Sequence, residues 1–113
     1  MLNTADGYEE VGMASWYGEQ FHGRPTSSGE EFDMYGYTAA HRTLPLHTWV
    51  EVTNLATGRA LIIRVNDRGP FAHTETRILD LSYGAARELD VVGAGVARVR
   101  VRALSADEVA GLR

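Results

Sequence analysis

The sequence of 113 residues contains no cysteine. Disulfides, thiol chemistry and cysteine-ligated zinc are therefore excluded, while the compartment stays open because cysteine-free proteins occur in reducing and oxidising surroundings. No run of residues is long and apolar enough to cross a membrane, and no signal peptide is recognisable. We therefore expect an excised mature domain, in which Met1 stands only for a start codon.

Positive charge is also scarce, because 11 Lys and Arg stand against 15 Asp and Glu and give a formal net charge of -4. Nucleic-acid-binding proteins usually show a basic balance or a basic stripe. The nearest approach to a stripe is Arg98, Arg100 and Arg102, which alternate along one strand and are interpreted as a solvated face. We expect no nucleic-acid partner.

Several catalytic signatures are missing as well. The four histidines form neither an HExxH motif nor a His-x-x-x-His pair, so we expect no metal site. The chain has no GxSxG elbow and no phosphate-binding loop of the Walker type, which leaves acyl transfer and nucleotide hydrolysis without support.

The remaining composition is that of one folded domain, with 44% hydrophobic and 23% charged residues. Short apolar segments separated by turn signals predict a mainly β protein. The predicted strands are 11–17, 37–41, 48–54, 59–66, 77–81 and 96–104. A short helix is predicted over 82–89 with Ser82 as its N-cap. Because a closed barrel removes exposed strand edges, we expect a six-stranded barrel with one or two short helices.

The expected organisation is a flexible lead-in over 1–10, the barrel domain over 11–104 and a weakly helical tail over 105–113. One connection stands out, because residues 18–29 collect glycine, proline, serine and threonine. This loop is longer than most connections, and long ordered loops in small domains are often functional.

Two aspartates stand where either chemistry or simple structure would explain them. Asp67 follows a hydrophobic strand and precedes a Gly-Pro turn, so it could belong to a site or cap the turn. Asp80 lies between two leucines in a predicted strand. It either points outwards or is partly buried with a raised pKa, as a general acid requires.

Other polar residues carry the same two interpretations. A lone histidine such as His41 is most often structural. The segment 28–33 holds three carboxylates, among them Glu30 and Asp33, which form a solvated loop or face a groove and bind sugar hydroxyls. Trp16 and Tyr17 flank these segments and suit the stacking of sugar rings, although core packing also explains aromatic residues, Trp16 in particular.

Six short motifs follow one another in a fixed order along residues 12–104. They are ASWYG (14–18), TSSGEEFDM (26–34), TAAHRTLP (38–45), VTNL (52–55), RVNDRGPF (64–71) and DLS (80–82), the last followed by two alanines at 85–86. Together they resemble the rare lipoprotein A (RlpA) family, and six ordered motifs are far more specific than any single one.

The resemblance implies a double-psi β-barrel related to expansins and to some endoglucanases. It implies a lytic transglycosylase that cuts MurNAc–GlcNAc bonds in peptide-poor peptidoglycan strands, leaves 1,6-anhydro ends and helps daughter cells to separate. An expansin-like module that binds peptidoglycan without cutting it is the alternative. Such proteins are periplasmic lipoproteins of the outer membrane. The acylated cysteine and the glycan-binding SPOR domain found in many of them are not present in this sequence.

The resemblance also implies roles for individual residues. Asp67 and His41 match the essential pair of the family, and Asp80 matches the acid of the more distant barrels. The expected catalytic residues are Asp67, His41, Asp80 and Glu30. The expected substrate-binding residues are Asp33, Tyr17, Trp16 and Asn66. No cofactor is expected, because the sugar's own 6-hydroxyl can attack the anomeric carbon, whereas a hydrolase needs a second carboxylate for its water. Which aspartate donates the proton stays open.

Overall fold

Six β-strands close into a barrel in the computed structural model, which describes residue 5 and residues 7–112. The strands are Glu9–Tyr17 (β1), Thr38–Ala40 (β2), Trp49–Asn54 (β3), Ala60–Asp67 (β4), Arg77–Ser82 (β5) and Val96–Ala103 (β6). Two short helices, Tyr83–Glu88 (α1) and Ala106–Ala110 (α2), and a 3-10 turn at Glu19–Phe21 accompany them. The prediction of a mainly β, six-stranded barrel with short helices is confirmed.

The strands follow one another around the barrel in the order β1, β5, β2, β4, β3, β6, and β6 pairs with β1. Two pairs are parallel, β1 with β5 and β2 with β4, and the other four are antiparallel. Closure leaves no free strand edge in the barrel wall. The short strand β2 lies between β4 and β5. Its last residue, Ala40, therefore stands beside both the C-terminal end of β4 and the middle of β5.

Alternating side chains explain how the barrel is filled. In β3 every second residue is buried, and Val50 and Val52 have no exposed surface. The β3–β4 hairpin closes at Gly58, whose φ of 78° is a conformation that glycine adopts without strain. Together with Val50 and Val52, further fully buried side chains form the centre of the core, namely Leu44, Ile63, Val65, Leu79, Leu81, Leu89, Val91, Val99 and Val101.

Helix α1 ties the barrel to the loop segment that precedes β2. The Ser82 hydroxyl accepts the backbone N–H of Ala85 at 3.2 Å, as expected of an N-cap. The backbone N–H of Gly84 donates to the Met34 carbonyl at 2.7 Å, and a Cβ at Gly84 would overlap the Tyr35 carbonyl. The close approach of helix and loop therefore requires glycine at this position.

The structure differs from the sequence prediction at several boundaries. Strand β1 begins at Glu9, two residues earlier than predicted, because Glu9 and Glu10 pair with Arg102 and Val101 of β6. Strand β2 is shorter than predicted and ends before His41. Of the predicted lead-in, residues 1–4 and 6 lie outside the described residues, as does residue 113 of the tail.

Two further findings concern the described residues alone. None of their helices is long and apolar enough to span a membrane. No group of three or more His, Asp or Glu side chains is placed to hold a metal ion within residues 7–112.

Candidate active-site groove

Asp67 and Asp80 flank the same residue of the barrel wall. Ala40 of β2 pairs with Asp67 of β4 on one side and with Asp80 of β5 on the other. Neighbouring strands lie about 4.8 Å apart, so the two aspartate Cα atoms are roughly 10 Å apart, and residues at one level of a sheet project to one face. The small side chain of Ala40 leaves space between the two carboxylates.

This space is a groove of about 260 Å³. Its lining combines carboxylates with apolar and aromatic side chains. The lining residues are Tyr17, Phe21, Ala40, Asp67, Arg68, Gly69, Pro70, Phe71 and Asp80. The structure thus brings together three of the predicted site residues, namely both aspartates and Tyr17.

The carboxylate of Asp67 is held through one of its oxygens. Its Oδ1 accepts the Ser27 backbone N–H at 2.9 Å, the Ser27 hydroxyl at 2.7 Å and the Arg68 backbone N–H at 2.8 Å. Its Oδ2 has no hydrogen bond to any residue that the structure describes. One oxygen therefore orients the group, and the other is available to a ligand.

Asp80 is held in a similar way but by a cation. Its Oδ1 accepts a hydrogen bond from the Ser15 hydroxyl and lies 3.3 Å from Arg77 Nη2, which also contacts the Ser15 hydroxyl. A Cβ added at Gly69 would lie 3.7 Å from Asp80 Oδ2, which shows that this second oxygen faces the Gly-Pro turn and the groove. Asp80 is partly buried, with 21% of its side chain exposed, and its role as a general acid stays a prediction.

The long loop supplies the residues that hold Asp67. The Thr26 backbone N–H donates to the Glu30 carbonyl at 2.8 Å, and the Ser28 N–H donates to the Asn66 carbonyl at 3.3 Å. These bonds place Ser27 over the end of β4. The prediction that this loop is functional rests on its length, and the structure gives it a definite task, because it orients a groove carboxylate.

Glu30 lies in a separate cluster beside the groove. Its carboxylate accepts two hydrogen bonds from Arg64, at 2.8 and 3.2 Å, and one from the Asn66 amide at 2.9 Å. The Arg64 hydrogen bond and then the Asn66 hydrogen bond lower the pKa of Glu30. His47 Nε2 is 3.9 Å away. Asn66 is buried and holds Glu30, so neither residue lines the groove.

The imidazole of His41 is also outside the groove lining. Its Nδ1 accepts the backbone N–H groups of Thr43 and Leu44 at 3.1 and 3.0 Å, and its Nε2 is 2.8 Å from the Tyr8 hydroxyl. Because Nδ1 accepts, the proton of the neutral ring is on Nε2 and points to Tyr8. Burial is the main cause that lowers the pKa of His41 to about 4.

Backbone contacts nevertheless connect His41 to Asp67. The His41 N–H donates to the Asp67 carbonyl at 3.1 Å. The Arg68 guanidinium donates to the carbonyls of His41, at 3.2 Å, and Leu44, at 2.6 Å. The structure thus joins the two residues through their backbones and shows no hydrogen bond between their side chains in the described part of the chain. A catalytic role of His41 stays a prediction.

The aromatic residues predicted to stack on sugar are placed differently from one another. Trp16 packs edge-on against Tyr83 with ring centroids 5.6 Å apart and does not line the groove. Tyr17 lines it but is stacked on Phe32 at 4.7 Å. Burial, and then the charges of Asp67 and Asp80, raise the pKa of Tyr17, whose buried hydroxyl has no hydrogen-bond partner among the described residues.

Asp33 shapes the loop at some distance from the two aspartates. Its Oδ1 accepts the Tyr35 backbone N–H at 3.0 Å and closes the turn that packs on α1. Asp33 is exposed and does not belong to the groove lining. Its assignment to substrate binding stays a prediction.

Sequence reasoning missed several residues of the site. Ser15 and Ser27 orient the aspartates, and Phe21 and Phe71 form walls of the groove. Ser15, Ser27 and Phe71 stand within the motifs of the family resemblance, which is the only signal that could have marked them. Phe21 carries no signal, because its place at the groove depends on how the loop folds back.

A larger depression of about 580 Å³ lies between residues 7–9 and α2. Two of its charged lining residues, Arg102 and Glu108, pair with each other at 2.9 Å, and Arg102 also lies 3.5 Å from Glu51. Ion pairs of this kind are ordinary surface structure. The smaller groove, with two partly free carboxylate oxygens, is therefore the candidate active site.

Comparison with protein families decides the relationship. A family model described as lytic transglycolase matches residues 9–101, which include all strands of the barrel except the last two residues of β6. The chain belongs to the lytic transglycolase family. The resemblance to RlpA proteins, with their double-psi β-barrel, is thereby confirmed.

Individual relatives agree with the family. The chain is 50% identical over 108 residues to the endolytic peptidoglycan transglycosylase RlpA of Vibrio cholerae, and 52% identical over 103 residues to that of Pseudomonas aeruginosa PAO1. A probable endolytic peptidoglycan transglycosylase RlpA of Treponema pallidum is 59% identical over 90 residues. The matches cover 96%, 91% and 80% of this chain but only 40%, 30% and 28% of those proteins.

Two solved structures share the fold of this lytic transglycolase domain. The Streptomyces papain inhibitor superposes with a TM-score of 0.71 at 21% identity and covers 91% of this chain and 100% of its own. The apo expansin of Clavibacter michiganensis gives a TM-score of 0.68 at 17% identity and covers 88% of this chain and 52% of its own. At such identities the similarity concerns the fold alone.

Proposed function

We propose that this domain is an endolytic transglycosylase that cleaves the glycan strands of peptidoglycan in the bacterial cell envelope. The observation that carries the proposal is the pair Asp67 and Asp80, which share an open groove in a member of the lytic transglycolase family. Two relatives that this chain matches at 50% and 52% identity are named endolytic peptidoglycan transglycosylases, and the match covers 40% and 30% of their length. An open groove suits an endolytic enzyme, because a strand can lie across it without a free end.

Asp67 is the proposed general acid and base. In its protonated form it gives its proton to the oxygen that links MurNAc C1 to the next GlcNAc, and the C1–O bond breaks. The MurNAc 6-hydroxyl then attacks C1, and its proton returns to Asp67. The products are a 1,6-anhydro sugar and a strand with a new hydroxyl end, so neither water nor a cofactor is consumed. An inverting hydrolase needs a second carboxylate to activate a water molecule, and this route does not need one.

The contacts of the two aspartates support this division of roles. The donors to Asp67 are two backbone amides and a hydroxyl, all neutral, and its Oδ2 stays available. Asp80 is ion-paired with Arg77. The Oδ1 of Asp80 is engaged by Ser15 and Arg77, so Asp80 is proposed to act by its negative charge, which stabilises the positive charge developing at the anomeric carbon.

His41 and Glu30 are proposed as positioning residues. His41 holds the turn 41–44 and, through its backbone, the Asp67–Arg68 segment. Glu30 joins the loop to β4 through Arg64 and Asn66. Asp33 and Trp16 are proposed to contact a long strand where it continues beyond the groove, and the buried Asn66 is proposed to act through Glu30.

The location and the cellular role of the protein are also proposed. We infer a periplasmic or outer-membrane location through a lipid anchor on the whole protein, and a role in daughter-cell separation, from the resemblance to RlpA. The partner is then the glycan strand itself, and no metal or organic cofactor takes part.

A second candidate function is glycan binding in the same groove without cleavage, and the fold shared with an expansin is the observation that favours it. One experiment decides between them. The purified domain is incubated with peptidoglycan from which an amidase has removed the peptides, and the soluble products are read by mass spectrometry. Fragments with 1,6-anhydro ends establish the transglycosylase, and reducing ends would instead mean hydrolysis. Protein that sediments with glycan but releases no fragments would be a binding module.

A further inference from the structure

Phe71 is the most exposed of the large hydrophobic side chains recorded for the described residues, with 79% of its surface in solvent. The next, Tyr35, is 59% exposed. A single exposed apolar residue is common on protein surfaces. Phe71 differs from such an isolated residue by its position, because it follows the Gly69–Pro70 turn and lines the groove that holds Asp67 and Asp80.

A second phenyl ring, Phe21, lines the same groove and is 43% exposed. It packs edge-on against Tyr17 with centroids 5.7 Å apart, and Tyr17 is stacked on the buried Phe32. Phe21 is thus fixed by an aromatic stack. Phe71 makes no ring-to-ring contact within the described part of the chain, so packing does not explain its presence.

The lining of the groove therefore combines apolar surfaces with carboxylate oxygens. Phe21, Phe71 and Pro70 offer hydrocarbon surfaces, and the two aspartates offer oxygen atoms. A pyranose ring has the matching pattern, with C–H groups on its faces and hydroxyls around its edge. Two carboxylates would repel an acidic lipid headgroup or an acidic peptide segment.

The size of the groove sets how much it holds. Its volume of about 260 Å³ is below the roughly 300–1,000 Å³ of pockets that enclose a drug-sized ligand. A single sugar ring fits such a space, and the rest of a strand must lie outside it. The ring next to the scissile bond is the one that a wall beside the aspartates would touch.

We propose that Phe71 is a glycan-binding residue, on whose face a sugar ring adjacent to the scissile bond stacks, with Phe21 as a second aromatic contact in the same groove. The inference rests on the proposed function, because it assumes that a glycan strand occupies the groove. It assigns substrate contact to two phenylalanines, in addition to the predicted Tyr17 and in a place where Trp16 does not reach.

The test measures binding and turnover separately. Binding of peptide-free glycan is measured by sedimentation in an Asp67→Asn background, with and without Phe71→Ala, and KM and kcat are measured in the active protein. Because aromatic stacking acts on the bound sugar, Phe71→Ala should weaken binding and raise KM by about five- to tenfold. Phe71→Trp should restore both. Phe21→Ala should act in the same direction, although it also removes a contact of Tyr17.

Leu55→Ala is the matched control. Leu55 is 38% exposed and lies in the β3–β4 hairpin, at the opposite end of β4 from Asp67. It should leave binding and KM unchanged. If the wild-type domain cleaves glycan and Phe71→Ala binds it as tightly as Leu55→Ala does, the stacking proposal is wrong and the proposed function stands. If the wild type neither binds nor cleaves glycan, both proposals fall.

Discussion

Asp67 and Asp80 stand at one level of the barrel wall, on either side of Ala40. The relationship follows from topology, since β2 runs parallel to β4 and antiparallel to β5 and pairs with both. Two residues 13 positions apart in the chain thus line one groove. Each has one oxygen held by protein donors, whereas the other oxygen has no partner among the described residues.

Replacement of Asp67 by asparagine should remove the proposed acid and base. The amide oxygen can still accept from Ser27 and Arg68, so the fold should persist with a small change in melting temperature. Turnover of peptide-free glycan should fall by about 10²–10⁴-fold, the usual contribution of acid–base catalysis. Glu88→Gln, at the end of α1, is the control that should retain full activity. Undiminished release of anhydro fragments by Asp67→Asn would exclude this role.

Replacement of Asp80 by asparagine should have a smaller effect. Its proposed task is electrostatic, and the loss of one stabilising charge in a partly solvated groove should lower kcat by about 10–100-fold, with KM little changed. The comparison of kcat between Asp80→Asn and Asp67→Asn measures the division of roles. The roles would have to be exchanged if Asp80→Asn were the more damaged enzyme.

Much of this arrangement could be predicted from the sequence. The β-branched run before Asp67 predicts β4, and Ser82 predicts the start of α1, because both signals are local. The motif order predicts the family, and through it the barrel. The boundaries of β1 and β2 depend on pairing with distant strands, which local patterns do not contain.

The side-chain environment was less predictable than the fold. His41 and Asp67 were expected to act as a pair. Because β2 ends at Ala40, the His41 imidazole instead contacts Tyr8 and the backbone of the turn that follows His41. Asn66 and Asp67 are neighbours in sequence, but their side chains lie on opposite sides of the strand. Asn66 therefore holds Glu30, and Asp67 faces the groove. Such outcomes depend on tertiary contacts.

Gly69 should be needed to keep the groove open. Its φ of 141° disfavours any side chain, and a Cβ there would contact Asp80 Oδ2 and Ala40 Cβ, each at 3.7 Å. Gly69→Ala should therefore lower glycan cleavage by more than its loss of stability explains. Gly58→Ala, which also has positive φ but no atom within 4 Å of the added Cβ, is the control for an alanine at positive φ outside the groove. Equal activity of the two variants, at equal folded fraction, would contradict a role of Gly69 in the groove.

His41 should make the stability of the domain depend on pH in the mildly acidic range. Its pKa is about 4 in the folded chain and 6.5 when unperturbed, so the folded state resists protonation. Above pH 6.5 the contribution to stability is complete. It is lost as the pH falls from about 6.5 to about 4, with a total on the order of 3 kcal/mol. Urea unfolding at several pH values measures this slope.

The variant His41→Asn separates the positioning role from proton transfer. An asparagine side chain offers an acceptor near the place of Nδ1 for the N–H groups of Thr43 and Leu44 but does not titrate. The pH dependence of stability between 4 and 6.5 should therefore become shallower than in the wild type. His41→Ala lacks the acceptor and should lose both stability and activity, because unsatisfied buried donors cost about 1–3 kcal/mol.

Activity at neutral pH then tells the two roles of His41 apart. If the residue acts only by holding the turn beside Asp67, folded His41→Asn should keep its kcat within about tenfold of the wild type, since proton transfer itself typically contributes about 10²–10⁴-fold. A folded His41→Asn that binds glycan but has lost turnover to the extent of Asp67→Asn would mean that the imidazole itself moves a proton.

In that case the imidazole of His41 would have to leave Tyr8 during the reaction, because Nε2 lies 2.8 Å from the Tyr8 hydroxyl in the structure. Tyr8→Phe, which removes that hydroxyl, should in this case raise the rate, whereas a purely positioning His41 predicts a rate that is unchanged or lower.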